Sequence, residues 1–124
     1  MRRGNAADNT ALSIVYRDLD GFEINTRCVV KGPATNLQIA EIKRCLDGDD
    51  RLIPAQVDLP GKRPSDFNTQ IDTCWFSLRN IKHTSDKANC SLNVGELVDK
   101  FRKAAGNWDE SLYTAVAIEG SRSY

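Results

Sequence analysis

The stretch NVGELVDKFRKAAG, Asn93 to Gly106, limits the fold more than any other part of the chain. Val94, Leu97, Val98, Phe101, Ala104 and Ala105 recur at the spacing of one helix face, within an arc of roughly 120° at about 100° per residue. Glu96, Asp99, Lys100, Arg102 and Lys103 occupy the remaining circumference. Asn93 is a good N-cap with Glu96 in the capping-box position, and Gly106 suits the left-handed residue that ends a helix. Acidic residues lie toward its start and basic ones toward its end, as the helix dipole prefers. Such a helix needs an apolar surface to cover, and the rest of the chain offers one in the form of strands.

The run ALSIVYR (11–17) places Leu12, Ile14 and Tyr16 on alternate positions, and FEINTRCVV (22–30) does the same with Phe22, Ile24, Thr26, Cys28 and Val30. Asp18-Leu19-Asp20-Gly21 between them carries turn chemistry, which predicts an antiparallel hairpin. Lys31-Gly32-Pro33 breaks the second strand. Thr35, with Gln38 three residues on, predicts a helix from about Asn36 to Asp47 that buries Leu37, Ile39, Ile42, Cys45 and Leu46 to differing degrees and stops at Gly48.

Residues 49–70 hold three of the four prolines and no long periodic run. Leu52, Ile53, Val57 and Leu59 can pin this stretch to the core as a compact loop or short edge strand, and Pro54 argues against a central strand. Connections of this length in small domains are disproportionately functional. The run IDTCWFSLRNIKH (71–83) reads as another strand, with Cys74, Phe76 and Leu78 on one face and Thr73, Trp75, Ser77 and Arg79 on the other. Ile81 and His83 fall out of phase with the first set, which predicts a bulge or strand end near Asn80. LYTAVAIE (112–119) fits a strand somewhat better than a helix, being short and β-branched. The resulting order, β-β-α-(β)-β-α-β, gives an α+β fold: an antiparallel or mixed sheet of about four strands with two helices on one face. Residues 1–9 and 120–124 are expected to be tails around one domain spanning 10–119.

The chain has 17 lysines and arginines and 17 aspartates and glutamates, with nine of each sign in residues 1–62 and eight of each in 63–124. That balance gives no basic footprint for nucleic acid. No apolar run reaches the ~18 residues of a membrane span, and MRRGNAADNT lacks the apolar core of a secretion signal. The four cysteines, Cys28, Cys45, Cys74 and Cys90, form no CxxC pair and read as thiols in a reducing, cytoplasmic setting.

No catalytic or ligand-binding motif rises above background. Cys74, His83 and Cys90 have C-x8-H-x6-C spacing, without the close ligand pairs of zinc sites. His83, the only histidine, has Asp72 or Asp86 available to orient it and Cys74 or Cys90 as a nucleophile, but nothing in the sequence places a nucleophile beside it. The acidic clusters at 18–21 and 47–50 fail the calcium-loop pattern and fit turns. Lys31-Gly32-Pro33 is too short to be a phosphate-binding fingerprint. The remaining signal is aromatic. Trp75 and Arg79, on the sheet face away from the helices, and Trp108, in the turn after the second helix, are side chains of the kind that anchor partner interfaces.

The sequence thus favours a small intracellular, non-catalytic protein-interaction module, an inhibitor, adaptor or regulatory partner. It would bind through an exposed sheet face (Trp75, Arg79), Trp108 and the 49–70 loop. It needs no cofactor or metal, its partner is another protein, and a homodimer is compatible with this reading. The competing readings are a small hydrolase-like enzyme using His83 with a nearby cysteine or aspartate, and a nucleic-acid-binding domain.

Overall fold

The computed structural model describes residues 8–17, 21–62 and 75–111. Residues 1–7 of the expected N-terminal tail, 18–20 of the hairpin turn, 63–70 of the long connection, 71–74 ahead of the later strand, and everything from 112 lie outside the described residues. Asp72, Cys74 and the strand expected over 112–119 fall among these.

Strands β1 (Asn9–Arg17) and β2 (Glu23–Lys31) form the expected hairpin, with Leu12 opposite Cys28, Ile14 opposite Thr26 and Tyr16 opposite Ile24. Helix α1 covers Asn36–Cys45, β3 is the two-residue strand Arg51–Leu52, a 3-10 turn follows at Pro54–Val57, β4 runs Phe76–Thr84, and α2 covers Val94–Ala104. The strands are antiparallel in the order β2-β1-β4-β3. β1 lies centrally between β2 and β4, and six of its nine residues are buried. Pro54 sits just past the edge strand β3, where its missing N–H costs nothing.

The phase break seen in the sequence is a bulge. β1 pairs Ile14 with Leu78 but Ser13 with Asn80, so Arg79 is the extra residue. Leu78 and Ile81 are an odd number of positions apart, and the extra residue lets both face the helices.

Both helices are capped as their sequences predict. Thr35 accepts from Gln38 N at 3.0 Å while its own N–H donates to Gln38 Oε1 at 2.9 Å. Asn93 and Glu96 reciprocate in the same way at 2.8 and 3.0 Å. The α2 stripe of Val94, Leu97, Val98, Phe101 and Ala104 is buried, and with Ile42 and Cys45 of α1 it meets Leu12, Ile14, Tyr16, Cys28, Val30, Phe76 and Leu78 of the sheet. The helices are also tied to each other at the surface. Arg44 and Arg102 both bond Glu41, and these guanidiniums hold its carboxyl down at about 2.

Helix α1 departs from expectation at two points. It ends at Cys45 rather than Asp47, because Leu46 turns into the core and Asp47 pairs through its backbone with Arg51, at 2.8 and 3.0 Å. Gly48, at φ 60°, serves that Asp47–Arg51 turn. Leu37 is 84% exposed, since it lies about 140° around the helix from Ile42.

The 49–62 stretch is part of the core: Leu52, Ile53, Val57 and Leu59 are buried. Its return is pinned across β2, where Lys62 N donates to Thr26 Oγ1 at 2.8 Å. Gly61 lies against the Phe76 ring, and a Cβ there would sit 2.8 Å from Phe76 Cζ and 3.2 Å from Pro54 Cγ. Both neighbours are buried and cannot swing aside. Gly61→Ala is therefore expected to cost about 2 kcal/mol in urea unfolding, within the usual range for overpacking. An unchanged midpoint would show that this loop is not packed as described.

Candidate functional site

Four segments distant in sequence converge beyond the C-terminal ends of the helices. They are the residues after α1 (Asp47), the β3 region (Arg51, Gln56), the entry to β4 (Trp75) and the turn after α2 (Gly106 to Glu110). Asp47, Trp75, Gly106, Asn107, Trp108, Asp109 and Glu110 line an open cleft of about 520 Å³. Trp75 and Trp108 meet edge to face with centroids 6.2 Å apart, close to the favoured aromatic geometry.

Each tryptophan is held differently. Trp108 packs edge-on against buried Phe101 at 6.0 Å, and its Nε1 donates to the Cys45 carbonyl at 3.1 Å, satisfying an otherwise orphaned group at the end of α1. The turn carrying it is clamped by Gln56, whose Nε2 donates to Asn107 O at 2.9 Å and whose Oε1 accepts from Asp109 N at 2.8 Å. Trp75 Nε1 donates to Glu110 Oε2 at 2.5 Å, and the Arg51 guanidinium sits over its ring at 4.8 Å. Arg51 is steadied by Asp47 at 2.5 Å. The Ser111 hydroxyl and backbone N–H both donate to Asp109, which keeps its carboxyl below the ordinary aspartate range. The cleft thus has two indoles and three carboxylates against one guanidinium. Chemically it suits a cation: the aromatic faces attract positive charge, and Arg51 already makes that contact within the chain.

Of the three residues singled out in the sequence, Trp75 and Trp108 lie together in this cleft and Arg79 does not. As the bulge residue of β4, Arg79 pairs with Glu23 at 3.5 Å, where Glu23 also bonds Arg17. The sheet face away from the helices is less open than alternation suggests, because Ala11, Val15 and Val29 on it are buried. Asp47, Arg51, Gln56 and Glu110 were not recognised from the sequence. The length of the 49–70 connection was the one signal that pointed at two of them.

The described members of the catalytic reading have separate partners. His83 Nε2 lies 2.6 Å from the Ala34 carbonyl oxygen; a carbonyl only accepts, so this nitrogen carries the proton and ties the end of β4 to the loop before α1. Asp86 pairs with Arg27 at 2.9 Å. Cys90 Sγ donates to Asn89 Oδ1 at 3.2 Å. Among the described residues no helix is long and apolar enough to cross a membrane, and no group of three or more metal-binding side chains is assembled. Compared with known proteins, the chain matches no protein-family model, no curated protein sequence and no solved structure.

Proposed function

We propose that this chain is a non-catalytic protein-interaction module, an inhibitor, adaptor or regulatory partner, which receives a basic segment of another protein in the cleft between Trp75 and Trp108. The observation that carries the reading is the pairing of two half-buried tryptophans at 6.2 Å within a rim of Asp47, Asp109 and Glu110. Tryptophans in this setting are the residues most enriched among interface hot spots, and the carboxylates favour a lysine or arginine as their counterpart. Free thiols at Cys28, Cys45 and Cys90 support placing the protein in a reducing, intracellular compartment.

The test is affinity capture with the full chain as bait, beside Trp75→Ala and Glu110→Lys baits of matched melting temperature. Both variants are expected to recover the partner at least ~tenfold less well, the loss typical of a hot-spot residue. Equal recovery by all three baits would remove the cleft from consideration.

A further inference from the structure

Residues 89–93 lie along the free edge of β2. Asn89 N and Cys90 N both donate to Val29 O, at 2.9 and 3.1 Å, and Lys31 N donates to Leu92 O at 3.2 Å. The Asn89 side chain closes the arrangement, accepting from Val29 N at 2.7 Å and donating to Arg27 O at 3.0 Å. Lys31 and Asn93 form a parallel bridge. This docking sets Cys90 beside Cys28, both packed at the core, with the Cys28 S–H donating to Pro60 O at 3.6 Å and the Cys90 S–H to Asn89 Oδ1 at 3.2 Å. They differ in access: Cys28 is fully buried and Cys90 only half so.

From this geometry we propose that Cys28 and Cys90 are a peroxide-responsive pair, with Cys90 as the attacking thiol and Cys28 as the resolving thiol of a reversible disulfide. The electrostatics agree with the attacking role of Cys90. The neighbouring Cys28 thiol lowers the Cys90 thiol from its ordinary value, while the proximity of Cys90 and burial push Cys28 up. A partly exposed, low-pKa thiol beside a resolving cysteine is the arrangement oxidation favours. The Cys90 thiolate attacks one oxygen of hydrogen peroxide; the S–O bond forms, the O–O bond breaks, and hydroxide leaves to take a proton from water or buffer. The Cys28 sulfur then attacks the sulfenic sulfur. The S–S bond forms, the S–O bond breaks, and the departing hydroxide carries off the Cys28 proton as water. Two thiols lose two electrons and two protons, and one peroxide becomes two waters.

The experiment treats the reduced full chain with stoichiometric hydrogen peroxide, counts thiols under denaturing conditions, and maps the chain with trypsin without reductant. The count is expected to fall from four to two, with peptide 28–31 joined to peptide 88–100, and to return to four with dithiothreitol. In Cys28→Ser, Cys90 is expected to stop at a sulfenic acid that dimedone labels; in Cys90→Ser, Cys28 is expected to stay reduced. The mapping uses the unmodified chain, so a variant that fails to fold leaves it intact. A bond from either residue to Cys45 or Cys74 would overturn the proposal. So would over-oxidation of Cys90 beside a reduced Cys28, or no reaction at all.

Discussion

Phe101→Ala is expected to lower the unfolding free energy by about 4 kcal/mol, the largest effect of any single truncation proposed for this chain. Phe101 is fully buried at the centre of the α2 stripe, between the sheet residues of the core and the Trp108 ring. Removing the ring takes away its transfer free energy. It also leaves a cavity that α2 cannot collapse to fill, because Leu97, Val98 and Ala104 fix the helix on either side. Domains of this size are stable by only ~5–15 kcal/mol, so the variant should be close to marginal, with a melting temperature lower by roughly 15 °C. Thermal and urea unfolding both check this. A loss below about 1 kcal/mol would mean that the stripe does not form the core.

Trp108→Ala is expected to separate from Trp75→Ala in stability while resembling it in binding. Trp108 loses its contact with Phe101 and leaves the Cys45 carbonyl without its indole donor, for a cost of about 3 kcal/mol. Trp75 lies at the rim, held by Glu110 and stacked with Arg51, and its truncation should cost ~1 kcal/mol. Denaturant curves of the two variants, taken beside partner capture, separate the supporting indole from the recognising one. Equal destabilisation would show that Trp75 is also structural and would weaken its assignment to binding.

The elements legible in the sequence were those set by local periodicity. The α2 stripe, both capping boxes and the β1–β2 hairpin are fixed by residues within a few positions of each other, and each appears in the structure. The bulge was visible because Leu78 and Ile81 cannot both face the core along a regular strand. What the sequence did not disclose depends on long-range pairing. The insertion of β4 between β1 and β3 has no local signature. The exposure of Leu37 depends on which side of α1 meets the sheet, and the early end of α1 depends on Asp47 pairing with Arg51. Alternation placed Trp75 and Arg79 on one face, but Trp75 precedes the strand and Arg79 is the bulge residue, so period-two reasoning fails at both. Gln56 clamping the Trp108 turn joins residues more than fifty positions apart, which no motif announces.

The most direct measurement of the central claim uses the chain's own fluorescence, since both of its tryptophans lie in the cleft. A titration with a lysine- and arginine-rich peptide is expected to change the emission saturably, to weaken as salt is raised, and to lose most of its amplitude in Trp75→Ala. An acidic peptide of equal length is expected to leave the emission unchanged. Emission indifferent to the basic peptide, or responding equally to the acidic one, would contradict the account.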